Sequence, residues 1–150
     1  LIKKIDITNP KFANKVLDVQ LLSYRVEAEL IGFNEIPPLK DTVETLQQCG
    51  EKFYGCYINE ELSGVISIKI ENGVMDIHRL FVHPKHFRRK IGKMLLDFIQ
   101  THEKGFETII VSTGSKNVPA INFYQKNGFS KTREEKVTEG LLLTFFNKKI

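Results

Sequence analysis

Between Asn72-Gly73 and Gly105 the chain changes hydrophobic period once, from the alternation of a strand to the three-and-four spacing of a helix. Asn-Gly is a strong hairpin turn, Val74–Val82 follows as a strand, and Arg88–Glu103 reads as a helix. Ile91, Leu95, Phe98 and His102 lie along one face of that helix, and Gly105 stands just past its end. A strand feeding a helix of that length asks for a crossover to a neighbouring strand, and the compact apolar segment Phe106–Ser112 fits. With a hairpin behind this unit and a crossover ahead of it, the chain is confined to a mixed sheet covered by helices.

The flanks extend the pattern. Ile2–Asp6 is a short first strand, and Asn9-Pro10 is a helix start with a cap followed by proline. Phe12, Val16, Val19, Leu22, Val26 and Leu30 follow at steps of three or four, which predicts one apolar stripe facing the core, with Gly32 as the stop. Pro37-Pro38 breaks the chain, and Asp41 is expected to cap a second short helix with Val43 and Leu46 inside. Lys52–Ile58 and Leu62–Ile70 are strand-like and joined at Asn59-Glu60-Glu61. Asn117–Lys126 is a short helix closed by Asn127-Gly128, and the tail forms two strands, Phe129–Val137 and Leu141–Asn147. The expected order is β-α-α-β-β-β-α-β-α-β-β: an α/β single domain over residues 1–150, with a mixed central sheet of about six or seven strands and helices on both faces. An exposed strand edge in the tail leaves room for a homodimer.

Composition narrows the function classes. Hydrophobic residues at 41% and charged residues at 27% are ordinary for a soluble globular protein. No apolar run approaches the roughly 20 residues of a membrane span, and the first residues lack a secretory signal, so a cytoplasmic location with no membrane partner is expected. Cys49 and Cys56 make no disulfide framework and no CxxC pair; they read as idle thiols in a reduced compartment, and no metal site is expected. The net charge of +4 is mild but uneven, since residues 85–93 hold five Lys or Arg and no acid. A local anion-binding loop explains this better than affinity for nucleic acid, which calls for a broad basic face with interleaved aromatic residues.

That loop opens a helix. The first N–H groups of a helix lack internal partners, and the dipole adds positive potential, so phosphate binds there readily. Arg88, Arg89, Lys90 and Lys93 surround the spot, and Gly92 removes a Cβ where a ligand or another backbone could approach. Cations oppose the dipole at a helix start unless an anion is present, which favours a diphosphate pocket built largely of main-chain amides.

Residues 74–93, VMDIHRLFVHPKHFRRKIGK, resemble the central strand, turn and helix start of the GNAT superfamily of N-acetyltransferases. The superfamily's turn carries Arg or Gln, two residues, Gly, one residue, then Gly or Ala. Gly92 takes the last position, whereas Phe87 stands for Arg or Gln and Lys90 stands for the first Gly. Residues 117–129, NVPAINFYQKNGF, are similar to the superfamily's later helix: Asn, a spaced Ala, a spaced Tyr, then Gly-Phe. The resemblance covers roughly residues 50–145.

The resemblance implies an acetyl-CoA-dependent acetyltransferase acting on a small-molecule or peptide amine, with acetyl-CoA as co-substrate and no metal. Arg88, Arg89, Lys90, Ile91, Gly92 and Lys93 would hold the diphosphate. The amides of Leu80, Phe81 and Val82 would bind the thioester in a splayed gap beside the central strand, one of them as an oxyanion donor. Asn117 would meet the pantetheine arm while also capping its helix, and Tyr124 would be the acid for the departing thiolate. Two candidates for general base stand side by side. One is His78, on the central strand and by alternation on the face of Leu80 and Val82 unless a bulge intervenes; the other is Glu27, near the end of the first helix. The acceptor region is expected in Tyr24–Lys40, where Tyr24, Glu27, Glu29 and Glu35 suit a cationic amine. A CoA-binding regulatory module that lost catalysis is the alternative, drawn from the departures at Phe87 and Lys90.

Overall fold

The computed structural model describes residues 1–150. Seven strands form one sheet: β1 Ile2–Ile5, β2 Lys52–Ile58, β3 Glu61–Glu71, β4 Val74–Val82, β5 Thr108–Gly114, β6 Ser130–Thr138 and β7 Leu141–Lys149. Their spatial order is β1-β2-β3-β4-β5-β7-β6. Every neighbouring pair is antiparallel except β4 and β5, which the crossover helix makes parallel. The expected mixed sheet of the α/β class is therefore present, with element boundaries within a few residues of those read from the sequence.

Four helices cover both faces: α1 Pro10–Ile31, α2 Val43–Gln48, α3 Ile91–His102 and α4 Val118–Lys126. On the α3/α4 face, Leu95, Leu96 and Ile99 join Ile66, Ile68, Met75, Ile77 and Phe146 in the larger core. On the other face, Val16 and Val19 of α1 and Leu46 of α2 pack on Phe53, Val65 and Phe81. Gly64 of β3 lets α3 settle: a Cβ there would lie 2.6 Å from Ile91 Cγ2 and 3.3 Å from the Phe81 carbonyl oxygen. The start of α3 thereby rests directly on the central strands.

Three expectations are corrected. The inward stripe of α1 is Ala13, Val16, Val19, Gln20, Ala28 and Ile31, whereas Phe12, Leu22, Val26 and Leu30 remain 39–50% exposed. Apolar spacing found Val16 and Val19 but drifted outward at the other four positions, because the inner arc carries polar groups, Gln20 and Glu27. Asp41 is not the cap of α2. Thr42 is, in a reciprocal capping box with Thr45, while Asp41 serves a buried ion network. On α3, Leu96 and Ile99 take the inner positions, and Phe98 stacks on exposed His102 with ring centroids 4.8 Å apart.

Candidate active site

The sheet opens where β4 and β5 part. They pair only at Val74–Asp76 with Thr108–Ile110, although β4 runs on to Val82 and β5 to Gly114. Beyond that point β4 stays paired with β3 and β5 with β7, so the edges of β4 and β5 that face each other are free. A bulge accompanies the parting: Ser67 faces Arg79 and Ile68 faces Ile77, leaving His78 as the extra residue. Such bulges bend the strand and add twist. The splayed gap expected from the resemblance is thus built into the strand register.

Register also decides which amides face the gap. His83 N–H donates to the Ser63 carbonyl at 2.8 Å, and antiparallel alternation then turns Phe81 toward β3 and Leu80 and Val82 toward the gap. The Phe81 amide therefore drops out of the expected set of three, and its ring instead meets Tyr24 edge to face at 5.6 Å.

A cleft of about 210 Å³ occupies the gap and reaches across to α1. Leu80, Thr113, Ala120 and Tyr124 line it from the sheet and α4, and Tyr24, Glu27 and Ile31 line it from α1. Pro37, Pro38, Val137, Leu141 and Leu143 complete an apolar wall. Burial, the largest influence, raises the Glu27 carboxyl from its ordinary range to about 7, against the opposing pull of the Asn117 amide. Burial and then the charge of Glu27 push the Tyr124 phenol well above its usual value, so it stays protonated at working pH. Tyr24 is raised by the same two causes, burial first, and the Leu80 backbone amide faces its hydroxyl. The cleft thus joins a carboxyl that titrates near neutrality to two phenols that hold their protons.

Asn117 holds the start of α4: its Oδ1 accepts from Ala120 N–H at 3.2 Å, and its Nδ2 lies 3.5 Å from Thr113 Oγ1. Tyr124 projects from the same helix, its ring set among Phe129 and Phe146 at 5.5 and 5.8 Å. His78 touches the cleft but, as the bulged residue, does not share a face with Leu80 and Val82. Its ring lies 3.4 Å from Asp76 Oδ2 and 3.8 Å from Glu51 Oε2. Glu29 and Glu35 are exposed and do not line the cleft. Of the acidic cluster expected around the acceptor, only Glu27 reaches it.

Arg79 is a residue that sequence reasoning passed over as part of a motif. It is 11% exposed, and its Nε donates to Glu51 Oε1 at 2.8 Å while Nη1 donates to Asp41 and, at 3.1 Å, to Gln20. Gln20 Nε2 in turn donates to the Pro38 carbonyl at 2.9 Å. Burial pushes the Asp41 and Glu51 carboxyls up, but the guanidinium hydrogen bonds outweigh it and hold both below the ordinary range. The network ties α1 and the Pro37–Lys40 turn to the central strand, which fixes the proline wall of the cleft.

The basic loop runs from the end of β4 to α3. His83 Nδ1 accepts from Lys85 N–H at 3.2 Å, and a single 3₁₀ turn covers Pro84–His86. The helix starts at Ile91 rather than near Arg88, because Arg88 and Lys90 take left-handed φ values of 68° and 61°. Lys90 is thus a non-glycine residue in the backbone state that the superfamily's Gly would take at no steric cost. The first turn of α3 has neither an acidic side chain nor a side-chain cap, and Arg88, Arg89, Lys90 and Lys93 are all exposed around it. These features fit a diphosphate. A Cβ at Gly92 would meet only the Phe123 ring at 3.6 Å, so no protein backbone crowds that spot.

Replacing Lys90 by Gly relieves a left-handed penalty of about 1–2 kcal/mol, while the added freedom of the unfolded chain takes back about 0.4–1 kcal/mol. Lys90→Gly is expected to raise the denaturation midpoint at unchanged m-value. A lowered midpoint in chemical denaturation would assign the lysine side chain a structural role that the backbone angle does not reveal.

Comparison with known proteins assigns the family. The sequence profile of the acetyltransferase (GNAT) family matches residues 19–129, most of the chain. The chain belongs to the GNAT family. Among relatives of this GNAT domain, the UPF0157 protein YqkA of Bacillus subtilis is 41% identical over 135 residues, which are 90% of this chain and 39% of YqkA. The peptidyl-lysine N-acetyltransferase YiaC of Escherichia coli is 44% identical over 50 residues, 33% of this chain and 32% of YiaC. The GNAT domain therefore spans well under half the length of these relatives in the matched region. In structure it is similar to the PaiA N-acetyltransferase of Thermoplasma acidophilum in complex with coenzyme A, with a TM-score of 0.79 at 22% identity over 100% of this chain and 98% of that one. The ribosomal-protein-S18-alanine N-acetyltransferase of Escherichia coli gives 0.80 at 13% identity, over 100% and 93%. These two likenesses establish the fold.

Proposed function

We propose that this GNAT domain transfers the acetyl group of acetyl-CoA to a primary amine of a small molecule or peptide, by direct attack in a ternary complex. The observation that carries the reading is the placement of Glu27: a carboxyl titrating at about 7, in a cleft that opens on the β4–β5 gap, with Tyr124 lining the same space. A general base is most useful when its pKa lies near the working pH, a condition Glu27 meets. In position, too, Glu27 is favoured, since the His78 ring turns toward Asp76 and Glu51 at one side of the cleft.

The residues present fit acetyl-CoA. The amides opening α3 at Ile91, Gly92 and Lys93 suit the diphosphate, with Arg88, Arg89 and Lys90 adding charge. The free edge of β4 offers the Leu80 and Val82 amides to the thioester and pantetheine, and Asn117 stands at the far side of the gap. In the reaction the neutral amine attacks the thioester carbonyl, the C–N bond forms and the C–S bond breaks. Leu80 N–H, with Tyr24 beside it, stabilises the developing oxyanion. Glu27 takes the proton that the amine nitrogen loses, and Tyr124 donates to the departing sulfur, so the products are the acetylated amine and free CoA thiol. The charge of Glu27 acts on the Tyr124 phenol, so the two proton sites are coupled, and the proton gained at one can replace that lent by the other.

Lys90 takes a left-handed backbone state that a glycine would take freely, which supports a loop of the superfamily's shape, while the departure at Phe87 stands as the ground for the regulatory-module alternative. No helix is long and apolar enough to cross a membrane, and two free thiols suit a cytoplasmic enzyme. The sheet edge at β6, where a second copy could add, is exposed along its whole length and carries Lys131, Arg133, Glu134, Glu135 and Lys136, a charge pattern that discourages strand addition.

The test follows thiol release from acetyl-CoA across a panel of amines. Saturation in both substrates with intersecting double-reciprocal lines is expected. Parallel lines would replace direct transfer with an acyl-enzyme, and binding of acetyl-CoA without thiol release to any amine would restore the regulatory module.

A further inference from the structure

A second cavity, of about 310 Å³, adjoins the cleft and shares Ile31, Gly114 and Leu141 with it. Its walls are held by a small core of their own. Ala28, Ile31 and Ile36 pack on Leu141, and Gly140 at the β6–β7 turn leaves room for the Phe33 ring, 3.3 Å from where a Cβ would stand. The groove therefore runs from Glu27, over an apolar floor of Ile31 and Leu141, to a far end formed by Ser115, Lys116, Lys136 and Thr138.

Charge is divided along it. Glu27 is the one acid on the cleft, apart from the reacting end no carboxylate lines either cavity, and both charged groups at the far end are lysines. Lys116 is exposed and makes no salt bridge. Lys136 Nζ lies 2.6 Å from Glu139 Oε2, but both partners are more than half exposed, and such pairs hold weakly and exchange readily. Glu134 reaches the Ser115 hydroxyl from outside the lining, and its charge is taken up by Lys131, 3.1 Å away, which leaves the two lysines as the charged groups on the cavity wall.

We propose that the acceptor is an amine that also bears an anionic group, separated from the amine by an apolar spacer, with the anion seated by Lys116 and Lys136 at the far end of the groove. The inference rests on the acetyl-transfer reading above and gives the site its substrate class. It reverses the cationic acceptor expected from Glu29 and Glu35, which face solvent. A diamine or polyamine would carry its second charge toward two lysines, whereas a carboxylate or phosphate there gains two cations.

Three acceptors of equal reach separate the possibilities: aminohexanoate, hexylamine and diaminohexane. The kcat/KM of aminohexanoate is expected to exceed that of hexylamine by about tenfold, with diaminohexane lowest and the gap narrowing as salt rises. Aminohexyl phosphate, in a parallel arm, distinguishes phosphate from carboxylate as the preferred anion; either one exceeding hexylamine supports the proposal. In Lys116→Glu/Lys136→Glu the aminohexanoate-to-hexylamine ratio should fall to one or below, while Lys116→Arg/Lys136→Arg should retain it. The ratio compares two substrates on one preparation, so partial misfolding does not mimic the result. Equal rates for all three acceptors, or a preference for diaminohexane, would overturn the charge assignment while leaving acetyl transfer intact. Acetyl-CoA binding with no turnover of any acceptor would overturn the transfer reading and this inference together.

Discussion

Glu27→Gln will lower kcat/KM for the amine by about 10²-fold or more, the range expected for loss of a positioned general base, while acetyl-CoA affinity changes little. The amide keeps the size and the hydrogen bond toward Asn117 but cannot take a proton. The pH dependence distinguishes this from simple disturbance. In the parent the rate should rise as pH passes through about 7, where Glu27 ionises, and that limb should vanish in the variant. Stability should respond in the opposite sense. Glu27 has a folded pKa above its unfolded value, so between about 4.5 and about 7 the folded state binds a proton that the unfolded state has released. The parent therefore loses stability as pH rises through that window, and Glu27→Gln, which never ionises, should gain in Tm relative to the parent at pH 8 but not at pH 4. A parent rate profile without a limb near 7, or retained turnover in the variant, would move the base elsewhere, His78 first.

Tyr124→Phe should cost turnover by about 10- to 10³-fold with acetyl-CoA binding preserved, since the ring packs among Phe129 and Phe146 and only the hydroxyl is lost. Because burial and Glu27 both raise its pKa, the phenol is protonated across the working range and serves as a donor throughout. No high-pH decline below pH 9 should trace to Tyr124. In the proposed reaction the hydroxyl acts on the leaving sulfur, so the loss should be largest for thioesters with poor leaving groups and shrink when an activated acetyl donor is used. An equal loss with every donor would make Tyr124 a packing residue, and unchanged turnover would remove it from the reaction.

The legibility of the site varied with how local its causes were. Asn117, Tyr124 and Gly128-Phe129 could be read directly, because a cap, a helical face and a helix stop are properties of adjacent residues. The basic loop proposed to hold a diphosphate was legible in charge and in the position of Gly92, but its helix starts later than read, since two left-handed residues, Arg88 and Lys90, intervene. Leu22, Val26 and Leu30 misled: their spacing is helical, yet they face solvent, and the inner arc is occupied by Gln20, Tyr24 and Glu27. Hydrophobic periodicity cannot anticipate an inner face chosen by a buried arginine on another element and by a cleft between elements. Arg79 itself showed in the sequence only as one basic residue before Leu80, with no sign that Asp41, Glu51 and Gln20 would converge on it.

The sequence by itself determined the order of elements, the crossover from β4 to β5, the basic, uncapped start of α3 and the Asn–Tyr helix, because turns, caps and periodicity are short-range. Only the tertiary structure decided that β4 and β5 would part after Asp76, that Leu80 and Val82 rather than Phe81 would face the gap, and that Glu27 would be the acid drawn inside. Those outcomes depend on strand register, a bulge at His78 and desolvation by residues far away in the chain, and each is set by the balance of many contacts that no local pattern records.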